Sequence, residues 1–181
     1  MAPLSNQRPL IDPLHYSSWQ KLTRVTEDVL RFVHNIKSSH SDQRNSRVGP
    51  LQPEEISVVE TFWIARAQRD LPDWRDRFND LAPFMDGTII RVGGRLKKSQ
   101  KHPVLLSSSN HISQLIMEHV QQKVSHAGPE RTLSESRRKL WIVRGRSLAK
   151  KLVRDSVALF TFIGNYPVSY THLTLPTKRI V

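Results

Sequence analysis

Apolar side chains recur at steps of three and four from Trp19 to Ile36 and again from Ile56 to Ala67. The pattern then breaks into a β-branched run at Thr88–Val92, and it returns to threes and fours after Asn110. Helices bury a face of period 3.6 and strands a face of period 2, so a chain patterned this way folds as mostly helix interrupted by short strands. The first helix, opened by Ser17 or Ser18 as cap, should bury Trp19, Leu22, Val25, Val29, Phe32 or Val33, and Ile36. The second begins at Pro53, where proline suits the first helical position and Glu54 and Glu55 complement the dipole. Its buried stripe is Ile56, Val59, Phe62 or Trp63, and Ala67. A short helix after Pro72 turns Trp74, Phe78 and Leu81 inward before Pro83 stops it.

The Asp86-Gly87 turn signal, the run Thr88–Val92, the Gly93-Gly94 pair and HPVLLSS at 102–108 favour two short strands that could pair as a hairpin. GGRLKK lacks the spacing of a phosphate-binding loop. Beyond Asn110, Ile112, Leu115, Ile116 and His119 share a helical face, with Ser108, Ser109 or Asn110 as cap. Pro129 opens a helix expected to reach about Leu140-Trp141, and Leu148, Leu152 and Val153 form the stripe of a third. The expected organisation is an amphipathic segment at 1–37, a flexible linker at 38–50, a helical segment at 51–85, short strands at 86–110, a small three-helix domain at 111–160, and a tail at 161–181.

Charge is distributed unevenly. The chain carries 28 Lys and Arg against 16 Asp and Glu, and the whole excess lies in 89–154, where 15 basic residues face Glu118, Glu130 and Glu135. Such a field attracts a polyanion through counterion release, which gives salt-sensitive affinity without base specificity. The residues expected to neutralise phosphates are Arg131, Arg137, Arg138, Lys139, Arg144, Arg146, Lys150, Lys151 and Arg154. The competing reading of the same charge is a solvated helical face.

There is no cysteine, so thiolate catalysis and disulfides are excluded and a metal site would need His or carboxylate ligands. His119 and His126 could converge on one cation, but two imidazoles leave a tetrahedral zinc half filled. The carboxylates Glu54, Glu55, Glu60, Asp70, Asp73, Asp76 and Asp80 are spaced as solvated helix faces, and no catalytic residue is expected. No apolar run approaches the roughly 18 residues of a membrane span. The chain reads as soluble and intracellular, with no membrane partner and no small-molecule substrate; Arg137-Arg138-Lys139 and Lys150-Lys151 are too short to act as strong nuclear-import signals.

The order HPVLL, LIMEHVQQKVSHAG, RTL and RRKLWIVRGRSLAKKLVRDS resembles the integrase zinc-binding domain of BEL/Pao-type retrotransposon polyproteins. YSSWQKLTRVTEDVLRFV, LQPEEISVVETFWIARAQ and DGTIIRVGGRL are similar to the stretch preceding that domain, so the resemblance covers roughly residues 10–158. It implies a small helical bundle holding zinc through a His-His-Cys-Cys set and serving DNA integration. The histidines fall on His119 and His126; the cysteine positions fall on Ser156 and Leu159, which cannot supply thiolates. Ser136 stands where the family places an apolar residue, and Leu140 where it places an aromatic. The implied zinc is therefore expected to be absent or weak.

From about Val157 the chain loses its helical period, and SYTHLTLPT resembles translated library-adaptor sequence, so the tail is expected to be non-native. The resulting expectation is a non-catalytic polyprotein fragment that binds nucleic acid through a basic surface, with possible self-association. A host-retained helical protein-interaction module and a non-functional truncated product are the alternatives.

Overall fold

The computed structural model describes residues 10–39, 47–93, 102–125 and 128–164. They are mostly helical, with a small sheet. A 3-10 turn at Pro13–His15 leads into α1 (Trp19–Ser39), followed by α2 (Pro53–Gln68) and the short α3 (Trp74–Arg77). Strands β1 (Pro83–Asp86), β2 (Ile89–Val92) and β3 (Val104–Ser107) come next. Helices α4 (His111–Lys123) and α5 (Pro129–Ser136), strand β4 (Leu140–Val143) and helix α6 (Gly145–Gly164) complete the order.

The sheet runs β1-β2-β3-β4. Its first pair is an antiparallel hairpin, with Pro83 opposite Val92 and Asp86 opposite Ile89. Gly87 turns it at a φ of 60°, the left-handed conformation that glycine adopts without steric cost. β2 and β3 are antiparallel, and β3 and β4 run parallel from Val104 opposite Leu140 to Ser107 opposite Val143. Parallel neighbours need a crossover, and α4 and α5 supply it.

Period-2 alternation puts the sheet to work on two faces. Val104, Leu106, Leu140 and Ile142 point into the main core with Leu22 of α1, Val59 and Trp63 of α2, Leu115 and Met117 of α4, and Leu148 and Leu152 of α6. Leu105, Ile90 and Val92 point the other way, where Trp74, Phe78 and Leu81 cover them. The main core thus draws on α1, α2, β2, β3, α4, α5, β4 and α6, and burial that three short helices could not achieve alone is shared with α1, α2 and the sheet.

Several expectations need correction. The described residues hold four strands rather than two: β1 begins at Pro83, which opens an edge strand as well as ending the helical turn before it, a place where its missing N–H costs nothing. The helix from Pro129 ends at Ser136, and Leu140-Trp141 open β4 because Leu140 and Ile142 pair into the sheet and bury there. α1 continues through Ser39, past the expected linker boundary, while residues 40–46 of that linker lie outside the described residues. α6 continues to Gly164, past Val157, where helical period was expected to fail. Residues 165–181 of the tail lie outside the described residues, as do Gly94 and the rest of GGRLKK after Gly93.

The buried arc of α1 is Trp19, Leu22, Thr23, Thr26 and Glu27. Phe32 and Val33, one of which was expected inside, are 65% and 38% exposed, and Ile36, also expected inside, is 48% exposed. Arg31 marks the reason: it reaches Glu55 in the first turn of α2 at 2.5 Å, so the last two turns of α1 run beyond the element they would pack against. In α2, Val59, Trp63 and Ala67 are buried as the spacing required, and Phe62 is exposed. Asn110 caps α4 by accepting from the Ile112 N–H at 2.8 Å. Among the described residues, no helix is long and apolar enough to cross a membrane.

Candidate nucleic-acid interface

α6 forms because Leu148, Ala149 and Leu152 recur at helical spacing and bury against α4 and α5, which leaves the opposite arc to water. Arg146, Lys150 and Arg154 occupy that arc at four-residue steps, about 6 Å apart along the axis, with Lys151 beside them. Gly145 opens the helix where space is short: a Cβ there would lie 3.2 Å from Leu133 Cδ1 and 3.4 Å from Ile142 Cβ. Arg144, at the β4–α6 corner, holds a φ of 56°.

A second group of cations sits at the other end of α5. Arg137, Arg138 and Lys139 form the turn into β4, held by N–H donations from these three residues to the carbonyls of Leu133, Glu135 and Ser136. The Arg137 guanidinium lies 5.4 Å from the centre of the Trp141 ring. Ser136, placed where the resemblance implies an apolar side chain, is buried and donates its hydroxyl to the Leu133 carbonyl at 2.8 Å, while Leu140 is buried in β4.

All nine residues proposed from sequence to meet phosphates are exposed: Arg131, Arg137, Arg138, Lys139, Arg144, Arg146, Lys150, Lys151 and Arg154. Ion pairs among the described residues engage only two of them, Arg138 with Glu135 at 3.3 Å and Arg146 with Glu130 at 2.6 Å. Both guanidinium groups stand mostly in solvent, where such contacts contribute little and yield readily to a competing anion. The fold gathers Arg146, Lys150 and Arg154 along one stripe, with a groove of about 480 Å³ between α5 and α6 beside Lys150 and Arg154. It holds Arg137–Lys139 as a separate cluster, eight residues and about 12 Å of helix from the start of α5.

Of the positions matched to the zinc set, the side chains of His119 and Ser156 are described. Ser156 accepts a hydrogen bond from Gln121 Nε2 at 3.1 Å and donates to the Val153 carbonyl at 2.8 Å. Gln121 and His119 are two residues apart on α4, about 200° around the helix, so the face that meets Ser156 is not the face that carries His119. Leu159 has no donor atom, and His126 lies outside the described residues. Among the described residues no group of three or more His, Asp or Glu is placed to hold an ion. Neither Ser156, whose hydroxyl is already hydrogen-bonded, nor Leu159 can supply the thiolate that the zinc set calls for.

His119 instead faces a cleft of about 610 Å³ between α2, α4 and the turn into β4. Burial pushes its imidazole below the ordinary histidine range, opposed by the Glu60 carboxylate and assisted by Lys123. Val104, Ile116 and Leu140 give the cleft apolar walls; Lys123, Arg138 and Lys139 stand among its charged lining. Glu60 accepts from the Trp19 indole N–H at 3.3 Å. Sequence reasoning assigned Trp19 to the core and Glu60 to a solvated face, and no local pattern announces that two residues 41 apart share a cleft.

The chain matches no protein-family model, no curated protein and no solved structure. The described residues form a mostly helical unit with a small mixed sheet and a cationic outer surface on α5, α6 and the turn between α5 and β4.

Proposed function

We propose that this chain is a non-catalytic segment of a retrotransposon-type polyprotein, carrying the scaffold of the integrase zinc-binding region without its metal, and that it binds nucleic acid through the α5–α6 surface. The observation that carries the reading is the exposure of all nine cations, seven of them outside any ion pair among the described residues. A helix presenting charges at about 6 Å intervals matches the spacing of successive phosphates closely enough to neutralise several at once. Side chains of this kind fix register on a backbone and read no bases, so binding is indifferent to sequence.

The test is the salt dependence of binding to a fluorescent 20-base-pair duplex. Each phosphate contact contributes about 0.9 to the slope of log affinity against log salt. The quadruple variant R146Q/K150Q/K151Q/R154Q should lower that slope by about 2–4. An unchanged slope removes the proposal.

A further inference from the structure

The cleft beside His119 is not explained by phosphate binding along α6, yet it shares two residues with the cationic surface: Arg138 and Lys139 belong to both. A surface that only tracks a backbone has no need of a concavity. This one has a volume of about 610 Å³, within the range of pockets that take small ligands, and ample for one nucleotide. Its lining divides by chemistry. Val104, Ile116 and Leu140 come from three elements of the main core and supply apolar wall. Lys123, Arg138 and Lys139 bring positive charge to the same space. Two carboxylates also line it: Glu135 lies 3.3 Å from the Arg138 guanidinium, and Glu60 takes the Trp19 indole N–H on one oxygen. A carboxylate has two acceptor oxygens, so Glu60 retains capacity for an amino donor.

An apolar slot with an amino acceptor and cations alongside suits a nucleobase attached to a phosphate. A paired base cannot enter, because its faces are stacked and its edge is engaged; an unpaired terminal base can, at little cost. We infer that the cleft takes one unpaired, amino-bearing nucleotide of a nucleic-acid strand, its base between the α2 and α4 walls and its phosphate toward Arg138, Lys139 and Lys123. This inference rests on the proposed function and adds to it the part of the nucleic acid that is recognised.

Binding of the full chain to two labelled 20-base-pair DNA duplexes, one blunt and one with a three-deoxycytidine single-stranded end, tests it at fixed salt. Base contacts of this kind are expected to give about a tenfold gain for the tailed duplex. Val120 of α4 and Ile64 of α2 also line the cleft. Val120→Trp, which fills it from α4, should abolish the gain and leave blunt-duplex affinity as it was. Ile64→Trp closes it from α2, and thermal melts of both variants show which remains folded. Equal affinity for the two duplexes overturns the inference while leaving the surface reading intact. A gain that survives filling in a folded variant overturns the placement in this cleft. Absence of salt-dependent binding to the blunt duplex overturns the proposed function itself.

Discussion

Gln68 closes its side-chain amide onto the backbone of Ile90. Its Oε1 accepts the Ile90 N–H at 2.8 Å, and its Nε2 donates to the Ile90 carbonyl at 2.7 Å and to the Leu105 carbonyl at 2.7 Å. One buried side chain from the end of α2 therefore joins β2 to β3 and ties both strands to a helix. The direct β2–β3 pairing is short: a single residue pair, Arg91 with Val104, defines its register. A backbone group buried without a partner costs about 1–3 kcal/mol, and three depend on Gln68.

Gln68→Leu should accordingly lower stability by about 3–5 kcal/mol in urea unfolding. The substitution conserves bulk, so the loss would report the hydrogen bonds. A loss below about 1 kcal/mol would mean that β2 and β3 find each other without the glutamine.

Gly93 leaves β2 with its N–H donated to the Ala82 carbonyl at 3.0 Å, and a Cβ on Gly93 would lie 2.5 Å from that same oxygen. The obstacle is backbone and cannot rotate away. Gly93→Ala should destabilise by about 1–3 kcal/mol, read as a lowered melting temperature, although alanine elsewhere in a chain is usually neutral or better than glycine. Gly87→Ala offers a contrast, because its Cβ would meet no atom within 4 Å and only its left-handed backbone would object.

Glu27 is buried at 2% exposure, and its Oε1 has no hydrogen-bond partner among the described residues. Burial raises its pKa above the ordinary glutamate value, with Glu55 and Asp28 adding to the shift and Arg31 and Arg47 opposing it. A carboxyl with a raised folded-state pKa contributes stability that is full below the unfolded value of 4.5 and is lost as pH climbs through the folded value. Glu27→Gln removes the buried charge and should raise stability at pH 7 by roughly 1 kcal/mol. Its advantage should shrink as pH falls toward 4.5, because the wild-type side chain becomes neutral as well. Denaturant curves at pH 7 and pH 5 decide this; an advantage of equal size at both would exclude titration of Glu27 as its source.

Much of the helical layout is legible along the chain because it depends on local spacing. Val59, Trp63 and Ala67, Leu115 and Ile116, and Leu148 and Leu152 all bury as their three- and four-residue steps require. So does the cap at Asn110, which needs only a side-chain oxygen two residues before an orphan N–H. The exposure of Arg131, Arg146, Lys150, Lys151 and Arg154 is equally local, since long charged side chains on the wet arc of an amphipathic helix stay in water.

The rest depends on partners distant in sequence. LWIV at 140–143 reads as the end of a helix until β3 lies beside it, because a strand is made by its neighbour's hydrogen bonds and not by its own residues. Phe32 and Ile36 carry a helical period that α1 cannot bury, since α2 begins level with Arg31. Chain pattern alone determined which residues prefer helix, where the charge collects, and that no thiolate is present to hold a metal. Tertiary structure decided that Gln68 bridges two strands, that Ser156 pairs with Gln121 on a different face of α4 from His119, and that Glu60 and Trp19 meet beside a cleft. Local propensity is a property of a few adjacent residues, whereas a cleft or a strand pairing exists only once elements far apart in sequence have packed.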